Sequence, residues 1–295
     1  MNIQSFSVVV PNKKCINNCP FCVSRMVKSD SYPNLMDISN PHYDINVEEY
    51  LKRMRFVADN GCQTMILTGT SEPQQNRQFL ATLALLHRQI GSPFTNIEMQ
   101  CTGILLNRNR DYLRFLRNFV GVNTVALSIS SFDDIENNDL LGHRLPIEKC
   151  VNLGGLCALL KEYDFNVRCC FNLSKLWEKW KPEEVLKRAK IDFNADQVTF
   201  RKLYSSNSSS SQSKWIQENQ IGLKWTHDLK SVLDSAPLIG TTSYGTQIRE
   251  VNGMSVIYDT DCMGKNPTSD AIKYLILRPN CKLYSSWDSS ASLIF

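Results

Sequence analysis

The sequence of 295 residues contains no run near the roughly 18 uninterrupted apolar residues of a membrane-crossing helix, so no transmembrane segment is expected. Its opening stretch, MNIQSFSVVVPNKK, lacks a basic region followed by an apolar run and a small-residue cleavage site. No secretory signal is therefore expected, and the reading is of a cytoplasmic protein. Several catalytic signatures are missing too: there is no Gly-x-Ser-x-Gly elbow, no phosphate-binding glycine loop ending in Gly-Lys-Ser/Thr, and no His-Glu-x-x-His helix. Histidine is scarce. The four, at positions 42, 87, 143 and 227, form no metal-spaced pair, and His143 in LLGHRLP is expected on a surface loop. A formal charge of +4, dispersed along the chain, gives no nucleic-acid-binding signal but leaves phosphorylated small substrates open.

What is present is ordinary globular material and many thiols. Hydrophobic residues make up 42% and charged residues 21%, which argues against disorder and for a sizeable core. The length exceeds that of most single domains, yet α/β barrels of this size fold as one unit. In a reducing compartment the 11 cysteines are not expected to form disulfides, which leaves packing, metal binding or catalysis. Cys62, Cys101, Cys150, Cys157, Cys169 and Cys170 fall in predicted strands or helices and read as core residues.

Six β-rich runs recur: SFSVVV (5–10), QTMILTG (63–69), NIEMQC (96–101), NTVALSIS (123–130), NVRCCF (166–171) and QVTFRKL (197–203). Helical patterns lie between most of them. Asn46 with Glu49 resembles a capping box, after which Val47, Leu51, Met54 and Ala58 share a helical face that ends at Asn60 and Gly61. Phe79, Leu83, Leu86 and Ile90 repeat the pattern, as do Tyr112, Phe115 and Phe119. Strands and helices in alternation predict right-handed βα units around a parallel sheet, and six units predict an open, partial (β/α)6 barrel over residues 1–204. Residues 205–213, rich in serine, read as a linker or mobile loop. Residues 214–295 read as a C-terminal α+β extension covering the active site: a helix in KWIQENQIGLKWTHDLKSVL, a hairpin turning at Asn252 and Gly253, and two further strands turning near Pro279 and Asn280.

In such a barrel the loops after the strands build the active site. The loop after the first strand carries CINNCPFC, with Cys15, Cys19 and Cys22 inside eight residues. This spacing differs from the ferredoxin runs in which four cysteines close a cluster, and it lacks the two paired Cys-x-x-Cys halves of a zinc ribbon. Three thiolates so placed suit three irons of a four-iron, four-sulfur cluster. A zinc knuckle completed by a distant ligand, or three packed cysteines, are the alternatives.

Cys-x-x-x-Cys-x-x-Cys with Phe21 before the last cysteine, after the first strand of a βα series, resembles the radical S-adenosylmethionine (SAM) superfamily over residues 5–204. The resemblance implies that Cys15, Cys19 and Cys22 hold the cluster, whose remaining iron chelates SAM and reduces it to methionine and a 5′-deoxyadenosyl radical. LTGTSEP, ending the second strand, resembles the family's Gly-Gly-Glu-Pro stretch, although Ser71 stands where glycine is commoner. It implies that Gly69, Thr70, Ser71, Glu72 and Pro73 contact the SAM amino group. Ser128 and Ser130 occupy the family's ribose-side strand end, with Thr102 a weaker candidate. Asn172 and Arg201 are polar residues in buried-looking strands and are read as cofactor-binding, since the carboxylate or phosphate of a bound ligand would serve Arg201 as well as a protein acid, whereas Arg168 reads as part of an internal ion pair or as an outward-facing side chain. Cys262, in YDTDCMG, is a candidate for substrate contact or hydrogen donation, and with only Cys281 beyond it no second cluster is expected.

The function so implied is hydrogen abstraction from a small molecule. LSISSFDDIENNDLLGHR distantly resembles loops of family members that act on nucleotides, such as viperin-like and molybdopterin-precursor enzymes. The alternatives are a peptide-modifying member of the family or, in another class, a non-catalytic zinc or iron-sulfur module. A reducing partner such as flavodoxin or ferredoxin is implied.

Overall fold

The computed structural model describes residues 2–12, 14–26, 46–143, 150–206, 209–264, 271–287 and 289–295. The six predicted strands are β1 (Asn2–Val9), β2 (Thr64–Thr68), β3 (Asn96–Cys101), β4 (Thr124–Ile129), β5 (Asn166–Leu173) and β6 (Gln197–Lys202), and each pairs in parallel with the next. Between them lie α1 (Val47–Asp59), α2 (Arg77–Gln89), α3 (Arg110–Arg114), α4 (Asp134–Leu140), α5 (Leu153–Glu162) and α6 (Pro182–Phe193). Asparagine starts several of these helices: the side chains of Asn46, Asn76, Asn109 and Asn152 each accept from the backbone N–H three residues on. The aromatic run at 112–119 departs from a plain α-helix, because α3 passes directly into a π-helical turn, Phe115–Val120.

The later residues contribute α7 (Ser211–Glu218), α8 (Leu223–Ser235), β7 (Leu238–Thr241), β8 (Gln247–Val251), β9 (Met254–Asp259), β10 (Ala271–Leu277) and β11 (Leu283–Tyr284). The predicted single helix is thus two. Ser210 caps the first of them, so the serine run passes into helix at its end. Both hairpins form where expected, β8 with β9 around Asn252 and Gly253, and β10 with β11. They do more than cap the barrel: β9 pairs in parallel with β6, and β10 in parallel with β1. The sheet order is β11-β10-β1-β2-β3-β4-β5-β6-β9-β8-β7, open and with eight consecutive parallel strands from β10 to β9.

Alternation along the strands divides the sheet into an apolar and a polar face. Phe6, Val8, Met65, Leu67, Ile97, Met99, Val125, Leu127, Val167, Phe171, Val198 and Phe200 belong to one hydrophobic core with the helices. Register puts the intervening residues side by side on the other face: Ser128, Cys170, Thr199 and Ile257 in one row, Asn172, Arg201 and Asp259 in the next. A closed (β/α) barrel fills its interior with branched aliphatic side chains. Here that surface carries hydroxyls, amides and charges. Its polar groups need partners, and Arg168 finds one in Glu98, buried with 2% of its side chain exposed.

Candidate active site

Two loops at the C-terminal ends of β1 and β2 are sewn together by asparagine and glutamine. Val10 N donates to Thr68 O at 2.8 Å, carrying the pairing one residue beyond the strand. Asn12 Nδ2 then donates to Ser71 Oγ at 2.7 Å and to Glu72 O at 3.1 Å. In return Gln75 Nε2 donates to Lys14 O at 2.8 Å, and Gln75 Oε1 accepts from Ile16 N at 3.1 Å. Only glycine fits at 69, since a Cβ there would lie 2.9 Å from Val10 O.

The cysteine loop rests on a second support, the turn after α4. Asn18 N and Cys19 Sγ both donate to Leu141 O, at 3.1 and 3.4 Å. Gly142, with φ +67°, lies against Asn18 so closely that a Cβ would come within 2.7 Å of its backbone. Arg25 Nη2 donates to Asn17 O at 2.8 Å, and Arg25 Nη1 reaches Asn18 Oδ1. Cys15, Cys19 and Cys22 are free thiols, each partly exposed. Burial pushes Cys15 up, and pushes Cys19 far up with the added repulsion of Cys22, Cys15 and Glu72. The three sulfurs therefore share one electrostatic environment, and a bound cation would reverse its effect by deprotonating the thiols it ligates.

Glu72 is the buried acid of this site, 5% exposed. Its carboxylate accepts from Thr102 N at 3.1 and 3.2 Å and from Asn17 Nδ2 at 2.7 Å. Burial raises its pKa to about 7, against the pull of these hydrogen bonds. Behind it, Thr102 Oγ1 lies 3.1 Å from His143 Nε2, while His143 Nδ1 lies 2.7 Å from Asn138 Oδ1. Asn138 Oδ1 also accepts from Val151 N at 3.0 Å, so His143 carries its proton on Nδ1 and takes the Thr102 hydroxyl at Nε2. His143 is 4% exposed, which corrects the surface loop expected for it. Burial lowers its pKa to about 4.

These groups open onto a cavity of about 290 Å³ at the C-terminal ends of the parallel strands. The structure brings Cys15, Cys19, Cys22, Gly69, Thr70, Ser71, Glu72, Ser128, Asn172, Arg201 and Cys262 to its walls. Two predicted residues are not in the lining. Pro73 begins a 3-10 turn, Pro73–Gln75. Ser130 lies past the end of β4, where alternation no longer governs direction, and its N donates to Asn137 Oδ1 at 2.8 Å. Sequence reasoning missed Asn17, Gly142, Tyr274, Arg278 and Trp287. Tyr274 was legible by alternation within AIKYLIL, whereas Trp287 reaches the cavity only through tertiary packing.

Among the described residues, Asn17 Oδ1, Thr70 Oγ1 and Arg201 Nε are buried side-chain atoms with no hydrogen-bond partner, and all three residues line this cavity. Buried polar atoms are normally satisfied, so their grouping marks a place built for a polar ligand. No three described His, Cys, Asp or Glu side chains are grouped to hold a single metal ion. No described helix is long and apolar enough to cross a membrane.

Residues 9–176 match the family model described as the radical SAM superfamily. Among solved structures, anSMEcpe with bound AdoMet aligns with a TM-score of 0.52 at 14% identity, over 98% of this chain and 75% of that one. Its complex with AdoMet and the Cp18Cys peptide gives 0.50 at 15% identity, over 79% of this chain and 59% of that one. HydG, a maturase of the FeFe-hydrogenase, gives 0.51 at 10% identity, over 79% of this chain and 48% of that one. At these identities the likeness is one of fold, and in the last two alignments this chain spans about three fifths and about half of the respective longer proteins. Comparison with curated proteins finds no match.

Proposed function

This chain belongs to the radical SAM superfamily, and from that premise we propose that Cys15, Cys19 and Cys22 hold the cluster, loop 69–73 holds SAM beside it, and a small-molecule substrate loses hydrogen in the same cavity. The superfamily consists of enzymes that use a four-iron, four-sulfur cluster and SAM. When bound, these groups supply the 5′-deoxyadenosyl radical that takes the hydrogen atom.

The observation that carries this reading is the convergence of three free thiols and the buried Glu72 carboxylate on one cavity. The residues fit the groups. Three thiols on one loop leave one iron of a cluster without a protein ligand, as binding of a chelating cofactor requires. Glu72 offers a carboxylate to an ammonium, and its fixed hydrogen bonds from Thr102 and Asn17 orient it before any ligand arrives. Gly69 lets the loop backbone lie against Val10, keeping loop 69–73 beside the cysteine loop. Ser128 and Asn172 line the wall beyond and offer a hydroxyl and an amide to a ribose or base. Thr102, His143 and Asn138 lie behind Glu72 and act through it as positioning residues.

A nucleotide fits this proposal as substrate class, with a reducing protein such as flavodoxin or ferredoxin as electron donor and the cytoplasm as location. A peptide is the second reading, since an anSMEcpe structure of the same fold holds one. Anaerobic loading with iron and sulfide, then reductant and SAM, is expected to yield 5′-deoxyadenosine by mass spectrometry. Glu72→Gln should weaken SAM binding while retaining iron. Wild-type protein that binds iron yet never yields 5′-deoxyadenosine would overturn the reading.

A further inference from the structure

The far side of the cavity from loop 69–73 is built by β6 and the segment after β9, and β10 approaches them across the open edge of the barrel. Arg201 lies on β6, Cys262 follows β9, and Tyr274 lies on β10. All three line the cavity. β2 and β6 are four strands apart in the sheet, which at about 4.8 Å per strand is roughly 19 Å along its curve. Arg201 and Glu72 thus stand on different walls of one cavity, and because the amino and carboxylate groups of an amino acid share a single carbon, the two walls suit two separate ligand groups.

Charge on this wall is unbalanced. Among the described residues Arg201 forms no ion pair, and its Nε is buried without a hydrogen-bond partner. The acids around it do not compensate. Its register neighbour Asp259 is engaged by Lys273 at 2.9 Å. Glu98, the other carboxylate on the polar face, is taken by Arg168. The remaining neighbours, Cys170, Cys262 and Tyr274, are all pushed toward their neutral forms by burial. A guanidinium whose Nε is buried unpartnered and whose neighbouring acid is already engaged by a lysine is costly, and its cavity-facing site is one that a ligand anion would complete.

We infer that Arg201, flanked by Cys262 and Tyr274, forms the substrate subsite and takes an anionic group, a phosphate or a carboxylate, carried by the substrate and not by SAM. This rests on the radical SAM reading of the cavity and gives it a substrate class. Guanidinium geometry suits both groups by paired N–H donors, and the Tyr274 hydroxyl and Cys262 thiol remain protonated beside it to donate as well. The inference also reassigns Arg201 from the cofactor to the substrate.

The test uses the full chain, loaded with its cluster and saturated with SAM, titrated with inorganic phosphate and, separately, acetate, with thermal unfolding as the readout. Saturable stabilisation by at least one of the two anions is expected, and the stronger one identifies the group. Arg201→Gln should weaken that anion at least tenfold, while SAM affinity measured by equilibrium dialysis changes less than twofold. Arg201→Lys keeps the charge without the fork and should fall between, which decides the matter if Arg201→Gln does not fold. An equal anion response in wild type and variants, or no response in either, would overturn the inference. So would a loss of SAM affinity matching the loss of anion affinity. Failure of wild type to form 5′-deoxyadenosine would instead strike the functional reading, and leave an Arg201-dependent anion response standing.

Discussion

Lys273 on β10 and Asp259 on β9 form an ion pair of 2.9 Å although six strands lie between β10 and β9 in the sheet. No backbone ladder joins those two strands among the described residues. The pair therefore spans the gap in the open barrel, beside the wall that carries Arg201. Both partners are largely buried, with 7% and 13% of their side chains exposed, so removing one leaves the other uncompensated. Lys273→Met is expected to cost about 3 kcal/mol in urea unfolding, of the order measured for broken buried pairs. It should also weaken anion binding, because the freed Asp259 carboxylate is the register neighbour of Arg201. A change near zero in both measurements would show that the pair neither closes the gap nor sets the charge of the wall.

Gly142 is predicted to be essential to the cysteine loop and dispensable to the fold. Its φ of +67° disfavours any side chain, and a Cβ would collide with Asn18. Gly142→Ala should unfold near the wild-type temperature yet retain severalfold less iron after loading. Full iron retention would mean that the turn after α4 does not support the loop.

His143 gives the protein a defined response to acid. Its pKa is about 4 when folded, against an ordinary value of 6.5, so the unfolded chain binds more protons between these pH values. The sign follows: this contribution is complete above pH 6.5, declines as pH falls, and is exhausted below about 4. Its size is about 3 kcal/mol at most. His143→Gln should flatten that part of the stability profile between pH 7 and pH 4.5. An unchanged slope would show that His143 is protonated in the folded protein.

The strands were legible in the sequence because each alternates two chemistries. NIEMQC was bounded correctly at both ends, and in NVRCCFNL the polar members Arg168 and Asn172 share the cavity-facing side with Cys170. The cysteine spacing and LTGTSEP were legible because a loop of fixed length places its own residues. What escaped depends on distant pairing. Nothing local in MSVIYD or AIKYLIL says that one will join β6 and the other β1. His143 was missed because its partners, Thr102 and Val151-linked Asn138, come from separate elements. The predicted long helix breaks at 219–222, where Gln220 bridges to Ser174 and Ile221 turns inward, again a tertiary event.

The proposed cluster, held by three thiols with one iron open to SAM, is read out by electron paramagnetic resonance of the reduced, cluster-loaded protein. A cluster spectrum that shifts when SAM is added, and that is lost in Cys15→Ala, Cys19→Ala and Cys22→Ala alike, is expected. A spectrum indifferent to SAM, or one that survives loss of any of these cysteines, would contradict it.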